Sequence, residues 1–269
     1  RFKSIETHSL KYFFNLKLEQ TNHLSLFHKL VLLDLNEMFF EIVDKFSEKF
    51  KTEGKKKSLQ AESIDSNGER LNNAKTLISM EEKSTYDAED NSNEITLVNL
   101  LSAKDKGGNS PMLFAAFRGN IAIMEKMIEL GVDYNCVNNA GLNIIHMAAQ
   151  SDSPNVIVYF KEKYNYELFQ KDDLNNNSLH WACSSGSKSA LDYLLLYINK
   201  ENNNENIINS VNSQGQTALH ITILTTGSVS TIKKLIKKNI DINIKDNSGL
   251  TVNDIVKENE RYKNIEKII

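Results

Sequence analysis

A short pattern recurs five times between Lys104 and Asp254, and this repetition constrains the fold more than any other feature of the chain. The copies are Asn109-Ser-Pro-Met-Leu-Phe-Ala-Ala-Phe-Arg-Gly119, Leu142-Asn-Ile-Ile-His-Met-Ala-Ala149, Asn176-Asn-Ser-Leu-His-Trp-Ala-Cys183, Gln216-Thr-Ala-Leu-His-Ile-Thr-Ile223 and an altered copy, Leu250-Thr-Val-Asn-Asp-Ile-Val256. Their equivalent first positions, Ser110, Asn143, Asn177, Thr217 and Thr251, are separated by 33, 34, 40 and 34 residues. Such a period predicts small units that bury their apolar faces only by stacking.

Each unit has the pattern of two helices and a turn. After Pro111, which suits the first turn of a helix, Met112, Ala115 and Ala116 form an apolar stripe at helical spacing. Gly119-Asn120 ends this helix, and a second apolar stripe follows before Gly131, which favours a left-handed helix stop. The first unit therefore predicts a short helix, a longer helix and a projecting polar turn, and Asn239 takes the role of Gly131 in a later copy.

The Thr-Pro-Leu-His-like core at this period resembles the ankyrin repeat. The resemblance implies an all-α ankyrin-repeat solenoid of stacked helix-turn-helix units with projecting turns. It also implies a concave surface, formed by the turns and short helices, that binds other proteins. In the last unit Asp254 stands where the pattern has His, which is a departure from it.

Three regions follow from the chain's composition. Residues 1–50 predict divergent ankyrin-like helices, with His28 at the His position, or alternatively an unrelated helical cap. Residues 51–93 are polar with isolated apolar residues, which predicts a disordered insertion. Its Lys55-Lys-Lys57 run is interpreted as a solvated loop, with a localisation or anionic-lipid patch as the alternative. Residues 94–269 hold the repeats, and the 40-residue step places extra residues at Lys200–Asn206.

Composition narrows the functional classes. The net charge of −3 gives no general attraction to nucleic acid, and the two cysteines, Cys136 and Cys183, form no metal-binding pair or disulfide framework. These thiols favour a reducing, cytoplasmic compartment, or the cytosolic face of a membrane as part of a larger membrane protein. No apolar run is long enough to span a bilayer, so no direct membrane insertion is expected. The chain starts at Arg1, which indicates a fragment, so the absence of a targeting signal says little.

The histidines do not indicate catalysis or metal binding. His146, His180 and His220 recur at one repeat position, as does His28 in the divergent unit, and no reaction needs one catalytic group in every unit. We therefore expect each ring to hydrogen-bond to the backbone of a neighbouring turn. Cys183 occupies a position that holds alanine elsewhere and is expected to be a small core residue. No catalytic residue, metal site or cofactor motif was found.

Binding is the function that the sequence favours. Candidate partner-binding residues lie outside the apolar core of the short helices and on the turns; they are Lys106, Asn109, Phe117, Arg118, Met147, Gln150, Trp181, Ser184 and Ile221. Phe117, Arg118 and Trp181 stand out among them, because large aromatic and Arg side chains dominate binding energies. Met147, Trp181 and Ile221 share one register and predict an apolar strip that suits a protein or extended peptide. The alternative is that Trp181 only packs against its neighbouring unit. The chain is expected to be a monomer.

A narrower resemblance lies at Leu179-His-Trp-Ala-Cys-Ser-Ser-Gly-Ser187 and Ala190-Leu-Asp-Tyr-Leu-Leu195. These residues are similar to repeats in the ankyrin modules of Asp-His-His-Cys palmitoyltransferases, especially protist ones. That resemblance implies a cytosolic, substrate-recruiting domain of a membrane-bound protein S-acyltransferase. The chain itself has no Asp-His-His-Cys block, so any acyltransferase activity would lie elsewhere in the full-length protein. The alternative is a free-standing ankyrin scaffold or adaptor with no enzyme attached.

Overall fold

The computed structural model describes residues 24–60, 96–198 and 207–258, together with Tyr262 and Ile265, with the side chains of 49–60 and 258 excepted. Throughout this part of the chain the regular structure is helical and no β-strand is present, as the repeat pattern predicts. Residues 1–23, which belong to the predicted divergent ankyrin-like helices, and the extra residues at Lys200–Asn206 lie outside the described residues.

The helices alternate between short and longer elements along the chain. They are α1 (Leu26–Leu32), α2 (Asn36–Gln60), α3 (Leu97–Leu101), α4 (Pro111–Arg118), α5 (Ile121–Glu129), α6 (Ile144–Gln150), α7 (Pro154–Tyr164), α8 (Ser178–Ser185), α9 (Lys188–Ile198), α10 (Ala218–Leu224), α11 (Val229–Lys237) and α12 (Val252–Glu258). The first helices of the units, α1, α4, α6, α8, α10 and α12, pack side by side in that order. The second helices form an outer row behind them, so the molecule is a stack of helix pairs.

Small side chains let the first helices approach closely. Ala115, Ala116, Ala148, Ala149 and Ala182 are fully buried at this contact, and Cys183 is fully buried at the next position, as expected. They belong to one hydrophobic core that continues from Phe27 to Ile265 without a break. Because each unit contributes one slice of that core, a single unit would leave its apolar faces in water.

Local backbone chemistry sets the helix ends. Gly119 ends α4 with φ +69°, and Gly186 ends α8 with φ +72°. Gly131 and Asn239 follow α5 and α11 with φ values of +88° and +60°, which confirms the helix-stop role predicted for both. Glycine and asparagine tolerate this left-handed region better than other residues do. The ends of α5 and α11 could therefore be predicted from Gly131 and Asn239 in the sequence.

The unit at Ser25 stacks directly on the unit at Ser110. Helix α1 packs against α4, and α2 contacts α5, although α1 and α4 are far apart in the sequence. Helix α2 continues to Gln60 and therefore extends into the segment predicted to be an insertion. The division into a divergent unit, an insertion and a repeat region stays a prediction.

Candidate protein-binding surface

The projecting turns are built on one repeated polar position. Asp105, Asn138, Asp172, Asn212 and Asp246 each begin a turn, and the side-chain Oδ1 of each accepts a hydrogen bond from the backbone N–H four residues later, at 2.7–3.0 Å. In the last four turns the same oxygen also accepts the N–H two residues later. Short polar side chains that bond their own backbone favour turns over helix.

Neighbouring turns are hydrogen-bonded to each other through their backbones. The bonds are Asn139 N to Gly107 O at 2.9 Å, Asp173 N to Ala140 O at 3.1 Å, Ser213 N to Leu174 O at 2.8 Å and Asn247 N to Gln214 O at 3.0 Å. Side-chain amides add further cross-links, for example Asn138 Nδ2 to Asn109 Oδ1 at 2.9 Å. The turns therefore form a ladder with their tips exposed, and this ladder fixes the spacing of any side chains presented to a ligand.

The repeated histidines join each first helix to the next unit. In His28, His146 and His180 the ring Nδ1 accepts the N-cap backbone N–H at 3.0, 3.1 and 3.2 Å. Ring Nε2 then lies 2.8 Å from Asn109 O, 2.9 Å from Gln170 O and 3.0 Å from Ser210 O, respectively. Because Nδ1 accepts, Nε2 carries the proton and donates. The expected backbone bonding of these rings is confirmed.

Burial makes protonation of these rings unfavourable. The pKa of each of the four repeated histidines is lowered by burial, in His180 to about 4, while backbone carbonyls act in the opposite direction. His220 makes the same Nδ1 bond to Thr217 N at 3.3 Å, but its buried Nε2 has no hydrogen-bond partner. The backbone carbonyl of Leu250 and the charge of Asp246 raise the pKa of His220, against the larger lowering by burial. Among the described residues no cluster of His, Cys, Asp or Glu could hold a metal ion.

Asp254 replaces histidine in the last unit and reproduces its cap. Its Oδ2 accepts Thr251 N at 2.9 Å and Thr251 Oγ1 at 2.7 Å, while Thr251 Oγ1 accepts Asp254 N at 3.3 Å. These bonds lower the pKa of the carboxyl group. Asp254 therefore keeps the hydrogen bonds at the start of α12. It has no counterpart of the histidine Nε2–H that bonds to the next unit in His28, His146 and His180.

Three of the predicted binding residues are exposed. Lys106 lies at the tip of the first turn, and Phe117 and Arg118 lie at the end of α4. Phe117 is 37% exposed, and Arg118 lies 4.0 Å from Asp34 in the preceding unit. These side chains are available to a ligand.

Two members of the predicted apolar strip are buried instead. Met147 is 7% exposed and Ile221 is 8% exposed, so little of either reaches the surface. The position after the repeated histidine faces the neighbouring first helices, which are close enough to cover an aliphatic side chain there. The prediction of an open strip through these two residues needs this correction.

Trp181, in the same register, is half-buried and anchored. Its Nε1 donates to Asp172 Oδ2 at 2.9 Å, which ties the middle of α8 to the turn that precedes it. Part of the ring reaches the surface, so Trp181 both packs and remains accessible. A role of Trp181 in binding therefore stays a prediction.

The other predicted binding residues differ in the hydrogen bonds that they make within the chain. Gln150 and Ser184 are half-buried in the register of Phe117, and their side chains make no hydrogen bond within the described part of the chain. Asn109 is fully engaged: its Nδ2 donates to both carboxylate oxygens of Asp105, at 3.2 and 3.1 Å, and its carbonyl accepts from His28. Asn109 is thus a structural residue of the turn.

The repeat register also identifies residues that the sequence reasoning passed over. Phe114 occupies the register of Trp181, is half-buried, and contacts the His28 ring edge-on with centroids 5.5 Å apart. Leu224 occupies the register of Phe117 and is 40% exposed, and Leu174 at a turn tip is 62% exposed. Counting one period from the chosen residues would have found Phe114 and Leu224, whereas Leu174 is equivalent to Gly107, which was not among them.

A stack of helix pairs with a ladder of exposed turns defines a helical repeat solenoid of the protein-binding class. The family model for ankyrin repeats matches in three copies, over residues 112–206 and 145–246, and the chain belongs to the ankyrin-repeat family. The chain is 28% identical over 169 residues to the ankyrin repeat protein FPV031 of fowlpox virus (strain NVSL). This match covers 60% of the chain and 47% of that relative, so the chain spans about half of the relative's length.

Ankyrin repeats serve in protein–protein interaction, and the chain is accordingly a protein-interaction module. Within its described part, no helix combines the length and apolar character needed to cross a membrane.

Proposed function

We propose that the chain binds an extended segment of a partner protein along the face formed by its first helices and turn tips. The observation that carries this proposal is the ladder of turns, which holds exposed side chains of successive units in one register. A fixed array of this kind suits an extended ligand, because binding then needs little ordering of the receptor.

The accessible part of this face contains both apolar and polar side chains. Phe117 and Leu224 are exposed at the ends of α4 and α10, and between them lie Gln150 and Ser184. Trp181 contributes a partly exposed aromatic ring near the middle of the row. A partner with one or two apolar side chains flanked by polar ones fits this arrangement, with Phe117 and Trp181 as its main contacts.

A peptide-display selection on the immobilised chain tests this proposal. The affinity of a selected peptide is then measured by calorimetry for Phe117→Ala/Arg118→Ala and for a control, Val158→Ala/Glu162→Ala, whose exposed residues lie on the outer helix α7. We expect a loss of about tenfold or more for the first pair, as for interface anchors, and little change for the control. An equal loss in both pairs, or a loss in the control alone, would place the ligand elsewhere.

We further propose that the module recruits substrates for a membrane-bound protein S-acyltransferase. The similarity of residues 179–195 to the repeats of such enzymes supports this finer proposal. The full-length transcript tests it: apolar segments and an Asp-His-His-Cys block downstream of Ile269 are expected, and a transcript that ends without them would remove the proposal.

The alternative function is that of a free-standing adaptor. The similarity to a fowlpox virus protein named only for its ankyrin repeats favours it. Both alternatives use the same binding face, so the peptide experiment does not depend on which of them is correct.

A further inference from the structure

The outer row of second helices is most uniformly basic at α11. Helix α2, at the other end of the row, carries both signs of charge, with five acidic residues and six lysines between Glu37 and Lys57. Helix α11 contains three lysines and no carboxylate. Because the whole chain carries a net charge of −3, this basic end departs in sign from the rest of the molecule.

The three lysines of α11 differ in whether they form an ion pair within the chain. Thr231, Ile232 and Leu235 are buried against the core, which turns Lys233 and Lys237 outward. Lys234 instead bonds Asp192 Oδ1 of α9 at 2.5 Å. In the described part of the chain, no carboxylate forms an ion pair with Lys233 or Lys237, so their charges are free to act on an external partner.

The lysines bordering this helix outnumber the available carboxylates. Lys188 is exposed at the start of α9, and Lys238 is half-buried directly after α11. Asp192 is paired with Lys234, whereas Asp241 keeps its negative charge while its Oδ1 accepts the Asn243 backbone N–H at 2.9 Å, so one carboxylate stands against Lys233, Lys237 and Lys238. The surface therefore stays positive around α11.

Apolar groups accompany the lysines on the same outer surface. Leu196 on α9 is 61% exposed and Val229 on α11 is 37% exposed. Tyr193 and Tyr197 of α9 are half-buried, and Lys161 of α7 lies over the Tyr197 ring, with Nζ 4.8 Å from its centroid. Lysines beside exposed aliphatic and tyrosine side chains are typical of surfaces that rest on lipid headgroups.

The choice of lysine also favours a diffuse anionic surface. Arginine, with its planar fork, is the usual residue for specific carboxylate or phosphate recognition in a protein or nucleic acid, whereas lysine is a flexible point charge. The basic residues of α9 and α11 are all lysines, and they lie on an outer helix face rather than in a pocket. Charge complementarity therefore points to an extended negative surface.

We propose that the outer face of α9 and α11, centred on Lys233, Lys237 and Leu196, docks on an anionic lipid membrane surface. This contact is peripheral and uses the opposite row of helices from the protein-binding face, so it is independent of the function proposed above. Such a contact holds the stack with its C-terminal units toward the membrane and its binding face open.

Co-sedimentation of the full chain with lipid vesicles tests this proposal. We expect binding to phosphatidylcholine vesicles that contain phosphatidylserine, little binding to phosphatidylcholine alone, and a decrease with added salt, since the attraction extends only about one Debye length. Lys233→Glu/Lys237→Glu should weaken binding by about tenfold or more, because each lysine near an anionic surface contributes measurably. Leu196→Ser should weaken it further.

The matched control is Lys45→Glu/Lys106→Glu, which changes the net charge equally at exposed positions elsewhere. It should retain vesicle binding close to that of the parent, and circular dichroism melting should show that both double variants are folded. Equal losses in the two variants would reduce the effect to net charge and overturn the proposal. So would an absence of binding to the anionic vesicles, or a preference of this face for polyglutamate or nucleic acid over lipid.

Discussion

At the residue scale, the repeated histidines connect the start of one helix to the backbone of the next unit. His180 makes three such contacts, through Asn177 N, Ser210 O and Gln216 O. His220 keeps the cap bond but has no partner at Nε2. Both residues are buried, and the Nε2 bond to a carbonyl of the following unit is present in His180 and absent in His220, so the two positions compare a repeated histidine with and without that bond.

His180→Ala is expected to lower the free energy of unfolding by about 3 kcal/mol, because several hydrogen bonds and a buried ring are lost together. His220→Ala should cost about 1 kcal/mol less, since the bond across the unit boundary is missing there. Urea unfolding followed by circular dichroism measures both. A greater loss for His220 would show that the link between units contributes little.

The histidines also predict a dependence of stability on pH. Their pKa values in the folded chain lie below the ordinary value, in His180 at about 4, so the unfolded chain binds more protons as pH falls below about 6.5. Stability should thus be complete above about pH 6.5 and fall as pH drops toward 4, by up to about 1.4 kcal/mol per unit for each fully shifted histidine. Unfolding midpoints across this range, with His180→Ala showing a shallower slope, provide the test; a flat profile would contradict it.

At the scale of the turn element, two glycines separate backbone strain from crowding. Gly108 and Gly249 both have left-handed φ values, of +77° and +81°. A Cβ at Gly108 would lie 2.6 Å from the backbone nitrogen of Asn139, whereas a Cβ at Gly249 would meet nothing within 4 Å. Crowding at Gly108 would open the ladder between the first two complete turns.

Gly108→Ala and Gly249→Ala should each lower the free energy of unfolding by about 1 kcal/mol, because alanine disfavours the left-handed region. Gly108→Ala should cost at least about 1 kcal/mol more, because the neighbouring backbone must also move. The difference in unfolding free energy between the variants is the measurement. Similar values would mean that the turns do not depend on their contact with each other.

At the scale of the packed helix, Ala116 has no room for a larger side chain. It is fully buried between first helices, so Ala116→Leu should overpack the contact and cost about 1–3 kcal/mol. Ala122 in α5 is exposed, and Ala122→Leu should change stability by less than about 0.5 kcal/mol. Comparable losses at the two positions would mean that the helix register is wrong.

The helices and their ends could be predicted because the signals for them are local. Proline and asparagine starts, glycine stops and small residues at helical spacing need only a few neighbouring positions to be recognised. The burial of Met147 and Ile221 could not be predicted in this way, because it depends on how closely the next helix approaches. The engagement of Asn109 likewise depends on His28 and Asn138, which lie in other units.

At the scale of the whole molecule, the stack separates two surfaces. The turn tips and first helices face one side and carry the residues proposed to bind a protein. The second helices face the other side, where α11 carries three lysines and no carboxylate. The repeat predicts the first surface, because the side chains recur at one register. The charge distribution of the second emerges only when the outer faces of several helices are compared.

Trp181 is the single tryptophan of the chain, so its fluorescence reports on the middle of the proposed binding face alone. Titration of the full chain with a display-selected peptide that lacks tryptophan should shift the emission of Trp181 to shorter wavelength as the ligand excludes water. The change should saturate with the affinity found by calorimetry. The proposed binding face is contradicted by two results together. The first is an unchanged emission spectrum at saturating peptide, and the second is a loss of affinity in Val158→Ala/Glu162→Ala on the outer helices.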